Sequence, residues 1–316
     1  MNLIRRLAVL SALLPAAFVL RAQEPFIFTP QWTPQAQFAG YYVALEKGFY
    51  QEEGVNVKIV HPSASRSAMD RIRHEESQAT TLQLAQALEI ADSGIPLVNI
   101  LQTSMNSATL IISRLGNDPR SLRGAKVAGF RAGFGQLAQS FAALEKLDYQ
   151  WVYTSSSSAV NLFISGAVDA TLARSYDEYY KILQSGLVDP EQGIYRFEDG
   201  EYNIQQDGVW VTRDYYDSHR KQADAFARAS RRGWEWAVSN PKMALDVVMR
   251  YVKRDRVASN RTLQWLMLRE VLRLQLDHES GLREFRLRPD MVQKADEMLL
   301  LSGRTGRHVT WEELVP

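Results

Sequence analysis

The 316 residues carry 37 basic against 36 acidic side chains, a net charge of +1, with 46% hydrophobic residues, 23% charged residues and no cysteine. That length is enough for two domains. The near-balance of charge speaks against a nucleic-acid partner or an anionic membrane surface, and the lack of cysteine excludes disulfides, thiol nucleophiles and iron–sulfur clusters.

The chain opens with Arg5 and Arg6 ahead of an apolar run of 14 residues, Leu7 to Leu20, too short to span a bilayer comfortably. This pattern predicts an export signal over residues 1–22, cut after Ala22, and a periplasmic or secreted protein. The arginine pair leaves the general and twin-arginine routes both open. A lipid anchor would need a cysteine at the cut, and no later stretch approaches the length of a membrane span.

From residue 26 short apolar strands alternate with amphipathic helices. Phe26–Phe28 reads as a strand, Ala39–Glu53 as a helix stopped by Gly54, and Val55–Val60 as a strand. Ser67–Glu76 reads as a helix, Gln78–Thr81 as a strand, Leu84–Asp92 as a helix and Leu97–Leu101 as a strand. The pattern restarts with strands at Lys126–Phe130, Trp151–Thr154 and Ala170–Arg174, separated by helices at Gln136–Lys146 and Ala159–Ser165 and followed by one at Glu178–Gln184. Gly208–Thr212 is one more strand, and 219–302 is almost wholly helical. Strands separated by helices imply an α/β fold with mostly parallel sheets. The restart predicts two lobes: residues 23–113 and 208–316 form the first, residues 114–207 an inserted second, with extended crossings near 108–113 and 208–212. Ligands of such sheets bind beyond the carboxyl ends of the strands, here in the cleft between the lobes.

Several motifs bear on chemistry. Gly133-Phe-Gly135-Gln-Leu-Ala138 has the spacing of a dinucleotide loop, but the next strand ends in Thr154 and Ser155 where the ribose needs a carboxylate. As a plain glycine loop it lets backbone N–H groups of Gly133, Phe134 and Gly135 approach a ligand oxygen, or it is only a tight turn. His74-Glu-Glu-Ser-Gln78 lacks the second histidine of a metalloprotease helix. The serine run 155–158 is a helix cap or a set of ligand donors. Aromatics follow two strand ends: Trp32, Phe38, Tyr41 and Tyr42 after the first, Tyr176, Tyr179 and Tyr180 after the strand at 170–174. Phe38 and Tyr42 suit a buried helix face. Trp32 and Tyr176 sit in loops and suit stacking on a flat ligand. Glu178 can accept from a ligand amino group, or merely suit a helix N-terminus.

Three stretches carry a resemblance: QWTPQAQFAGYYVALEKGFYQEEGV from Gln31, VDATLARSYDEY from Val168 and GWEWAVSNPKMA from Gly233. Together they resemble solute-binding proteins of the thiamine-pyrimidine and alkanesulfonate/nitrate branch. The resemblance implies a two-lobed type II periplasmic-binding fold and a non-enzymatic monomer without cofactor. It also implies delivery of a small ligand, an aminopyrimidine precursor of thiamine, to the permease subunits of an ATP-driven importer. A sensory role, and an alkanesulfonate or other small solute, are the alternatives. The same superfamily holds a hydroxymethylpyrimidine phosphate synthase, whose lysine and histidine fall here at Leu82 and Gln86 and whose cysteines have no counterpart. The synthase chemistry is therefore rejected. Asp177 stands where the family often has asparagine. On this reading Trp32 stacks, Tyr176 stacks or caps, Tyr41 lines the site, Gln35, Gln37 and Glu178 bond ring nitrogens, and Gly133, Phe134 and Gly135 offer backbone donors.

Overall fold

The computed structural model describes residues 24–63, 65–130, 134–186 and 192–316. The expected signal segment lies outside them, as does Gly133. Among the described residues ten strands form two five-stranded sheets. The first sheet takes β1 (Phe26–Thr29), β2 (Val57–Ile59), β3 (Ala79–Gln83), β4 (Leu97–Gln102) and β10 (Asp207–Thr212), in the order β2-β1-β3-β10-β4. The second takes β5 (Thr109–Ser113), β6 (Lys126–Phe130), β7 (Gln150–Thr154), β8 (Ala170–Arg174) and β9 (Ile194–Arg196), in the order β7-β6-β8-β5-β9. In each sheet one strand runs against the other four: β10 is antiparallel to β3 and β4, and β5 to β8 and β9. The expected pair of mostly parallel sheets is present, with these two reversals.

Helices fill the connections. In the first half they are α1 (Ala39–Glu46), α2 (Phe49–Glu52), α3 (Ala68–Arg73) and α4 (Leu84–Asp92). The second sheet carries α5 (Gln136–Leu144), α6 (Ser156–Ile164) and α7 (Glu178–Leu183). The chain ends with α8 (Arg213–Ser239), α9 (Pro241–Arg254), α10 (Arg261–Leu274), α11 (Pro289–Leu301) and α12 (Trp311–Leu314). The single helix expected over 39–53 is two, because Gly48 adopts φ 77°, a left-handed conformation that ends α1 and restarts the chain as α2.

Two apolar cores follow the two sheets. Phe26, Phe28, Tyr41 and Phe226 belong to the first, which α1, α8, α9 and α10 cover. Val127, Phe141, Phe163 and Leu172 belong to the second, which runs on into the inward faces of α4 and α11. The segments 108–113 and 208–212 are β5 and the body of β10, each an internal strand of its sheet. The chain passes between sheets just outside them, at 103–108 and 197–206, and side chains zip these passages together. Gln206 accepts from Ala108 N at 2.8 Å and donates to Thr109 Oγ1 at 2.8 Å, and Asn203 accepts from Ser107 N at 2.9 Å.

A second link lies where α11 packs on both α4 and α5. Arg304 donates to Glu89 at 2.7 Å and to Gln139 at 2.5 Å, Gln136 donates to Glu89 at 3.0 Å, and Ser302 donates to Ser140 at 2.9 Å. The lobes are thus joined along one side and face each other across the other.

Candidate functional site

The strand ends that face the other lobe gather one group of side chains. After β1 come Gln31 and Trp32, β6 ends in Phe130 ahead of Phe134, and β8 ends in Arg174 ahead of Tyr176. β10 contributes its first residue, Asp207. Because β10 runs backwards, its start lies at the edge where its neighbours finish: Asp207 pairs with Gln83, the last residue of β3. The trace meets across the cleft, where the Trp32 ring stands edge-on to Phe134, centroids 5.8 Å apart.

The first lobe supplies acceptors. Asp207 is partly exposed, and its carboxylate accepts from Gln31 Nε2 at 3.0 Å and Gln37 Nε2 at 2.5 Å. Gln37 is itself aimed by Gln35, which donates to its Oε1 at 2.6 Å. Enclosure raises the Asp207 pKa above the ordinary carboxylate value; the two glutamine hydrogen bonds and nearby Arg174 oppose the rise without cancelling it. The buried Gln31 Oε1 has no hydrogen-bond partner among the described residues.

The second lobe supplies donors. Arg174, 2% exposed, lies 4.8 Å from the Phe134 ring centre and 5.7 Å from those of Trp32, Phe130 and Tyr176. Its Nε and its backbone N both donate to Glu178 Oε2 at 2.9 Å, and its Nη2 donates to Glu178 Oε1. Ser156 donates to that same Oε1. Glu178 is fully buried. Burial alone would raise its pKa, but the charge and hydrogen bonds of Arg174 win and hold it well below the usual range. Asp177 moves the other way, raised by burial and by Glu178, while Lys181 bonds it at 2.6 Å. The buried Arg174 Nη1 and Tyr176 Oη have no hydrogen-bond partner among the described residues.

The expected site residues thus separate. Trp32, Gln35, Gln37, Phe134 and Tyr176 converge on the cleft. Glu178 lies behind it, with both carboxylate oxygens occupied by Arg174 and Ser156. Tyr41 packs beneath the site in the first core, against Phe28 at 4.7 Å and edge-on to Trp234 at 5.6 Å. Gly135 caps α5, and a Cβ there would meet the tip of the Gln139 side chain, Nε2, at 2.7 Å. Asp207, Arg174 and Phe130 were not expected. A charged residue closing the apolar strand Ala-Thr-Leu-Ala was the available signal for Arg174.

His61 holds the Trp32 loop. Its Nδ1 is 2.5 Å from Trp32 O, and its Nε2 is 2.8 Å from Tyr42 Oη. A carbonyl only accepts, so Nδ1 carries the proton and Nε2 accepts from the tyrosine. Burial lowers the His61 pKa to about 4, against the pull of the Trp32 carbonyl. The folded protein therefore favours neutral histidine, and the unfolded chain binds the proton first. Stability from this group is full above about pH 6.5 and is lost as pH falls toward 4, a change of about 3 kcal/mol. Unfolding in urea between pH 7.5 and 4 is expected to show a shallower pH slope for His61→Gln than for the parent; equal slopes would contradict the assignment.

No helix among the described residues is long and apolar enough to cross a membrane, and no cluster of three or more metal-binding side chains occurs among them. The chain is 24% identical over 235 residues to the formylaminopyrimidine-binding protein of Halalkalibacterium halodurans, covering 69% of this chain and 68% of that one. Its fold is that of periplasmic-binding proteins. The alkanesulfonate-binding protein SsuA of Xanthomonas axonopodis pv. citri, bound to MOPS, matches with TM-score 0.67 at 11% identity, over 92% of this chain and 97% of that one. The ligand-binding component of an ABC-type import system from Staphylococcus aureus matches with TM-score 0.67 at 9% identity, over 93% and 97%. Residues 35–244 match the family described as NMT1/THI5 like, and the chain belongs to that family.

Proposed function

We propose that this protein is the exported solute-binding component of an ATP-driven importer, and that it captures a flat, amino-bearing heterocycle of the aminopyrimidine class between its lobes. The observation that carries the reading is Asp207. A carboxylate in the cleft beside Trp32, aimed by Gln31 and Gln37, accepts from a ligand amino group. It repels a sulfonate or other anion. The charge of the described residues agrees: Arg174 and Lys181 face three carboxylates, Asp177, Glu178 and Asp207, so these side chains offer an anion no net positive charge. Trp32 supplies a ring face for stacking, and Phe134 meets that ring edge-on.

The 24% identity to a formylaminopyrimidine-binding protein supports the same ligand class. At the positions assigned to the synthase lysine and histidine stand Leu82, buried in β3, and Gln86 on α4, which supports binding without catalysis.

Thermal-shift and calorimetric titration over aminopyrimidines, alkanesulfonates and amino acids tests the reading. Aminopyrimidines are expected to stabilise the protein and alkanesulfonates to leave it unchanged. Trp32→Ala and Asp207→Asn are each expected to weaken aminopyrimidine binding about tenfold to a hundredfold. Stabilisation by sulfonates alone would overturn the proposal.

A further inference from the structure

Arg174 is spoken for on three of its four nitrogens. Nε, Nη2 and the backbone N all serve Glu178, and Nη2 also lies 3.4 Å from Ser156 Oγ and 3.5 Å from Asp177. Among the described residues Nη1 serves nothing, yet it is buried. An unpaired donor on a buried cation is costly, and such groups in folded proteins ordinarily find an acceptor. The surroundings restrict how one can arrive. Aromatic rings from both lobes crowd the guanidinium, so the free approach is in the guanidinium plane, along the N–H directions of Nη1.

The charge of that acceptor is also restricted. Glu178 already neutralises Arg174 through a forked contact, and Asp207 stands close enough to be felt by both Arg174 and Tyr176. A further anion would be a fourth negative charge in a small space. A neutral carbonyl oxygen meets the same donor without that cost.

We infer that Arg174 Nη1 donates to a neutral carbonyl oxygen, of the amide or formyl kind, carried on a substituent of the ring that Trp32 stacks, and that Glu178 is the positioning residue that aims it. The inference rests on the reading of the cleft as an aminopyrimidine site. It divides recognition between the lobes: Asp207 and Gln31 of the first accept from the amino edge, and Arg174 of the second, with the free Tyr176 hydroxyl nearby, donates to the far substituent. A ligand offering only one end engages only one lobe and leaves the cleft incompletely closed.

The test compares two probes by calorimetry on the full protein: a formylaminopyrimidine and the same aminopyrimidine with a methyl group in place of the formyl-bearing substituent. The parent protein is expected to prefer the formyl compound by about tenfold to a hundredfold. Arg174→Lys keeps a charge for Glu178 but loses the forked geometry of the guanidinium. It is expected to erase most of that preference. The double variant Arg174→Met with Glu178→Leu removes donor and carboxylate together, leaves no lone buried charge, and is expected to show no preference. Circular dichroism establishes that each variant is folded. A preference that survives in both variants, an equal loss for both probes, or no preference in the parent overturns the assignment of Arg174 and leaves the aminopyrimidine reading standing. Failure of the parent to bind either probe overturns that reading and this inference with it.

Discussion

Glu178→Ala is expected to cost the protein about 3–5 kcal/mol of stability, more than loss of most surface carboxylates would. Glu178 is fully buried and Arg174 is 2% exposed, so truncating the glutamate leaves a guanidinium in a low-dielectric pocket with the more distant Asp177, at 3.5 Å, as its nearest described counter-charge. Two further donors, Arg174 N and Ser156 Oγ, lose their acceptor as well. Coulomb attraction in that pocket does not make the pair a net source of stability, because both ions gave up their hydration to form it. The asymmetry is therefore informative: Glu178→Ala is expected to be much worse than the Arg174→Met, Glu178→Leu double variant, in which no charge is left alone. Urea unfolding monitored by tryptophan fluorescence measures both. A loss below about 1 kcal/mol for Glu178→Ala would mean that the pair is solvated in solution.

Gly233→Ala is expected to cost about 3 kcal/mol or more, at the upper end of what overpacking does. α1 and α8 cross with almost no side chain between them. A Cβ on Gly233 would drive into the carbonyl oxygen of Gly40 and stand 2.8 Å from Ala44 Cβ. The reciprocal Gly40→Ala would place a methyl within the Trp234 indole, 2.6 Å from its Cε2. Backbone cannot swing aside as a lysine tip can, so relief requires the helices to separate. That shift would lift Tyr41, Phe38 and the loop of Trp32 together, since α1 follows directly from Gln35 to Phe38. Differential scanning calorimetry is expected to show a lowered transition for both variants; an unchanged midpoint would contradict the close crossing.

Much of the architecture was legible because each sheet repeats one local pattern. The limits of α4, β6 and β8 agree with the apolar runs residue for residue, since each run ends at a polar or glycine boundary. The crossings were displaced because β5 and β10 are extended segments with buried apolar centres, and nothing in such a segment says which sheet it joins. The cleft was legible where it depends on strands that point toward it, which is why Trp32, Phe134 and Tyr176 stood out. Asp207 escaped because it begins a strand, and only the reversal of β10 carries it to the ligand-facing edge. Arg174 and Glu178 sit four residues apart, a spacing that ordinarily marks a solvated helix pair. Here the first member lies at the end of a strand and the second opens a helix, so the pair turns inward.

The reversed strands also fix an order of assembly. β4 bonds to the first sheet only through β10, so it waits for residues 207–212 to leave the ribosome or the export channel before it has a neighbour. The first core waits longer still, for α8, α9, α10 and finally Phe285. The second sheet is complete at Arg196. The lobe that is interrupted in the chain is therefore the last to close, and the inserted lobe stands ready beforehand as the surface on which α4 and α11 finish packing.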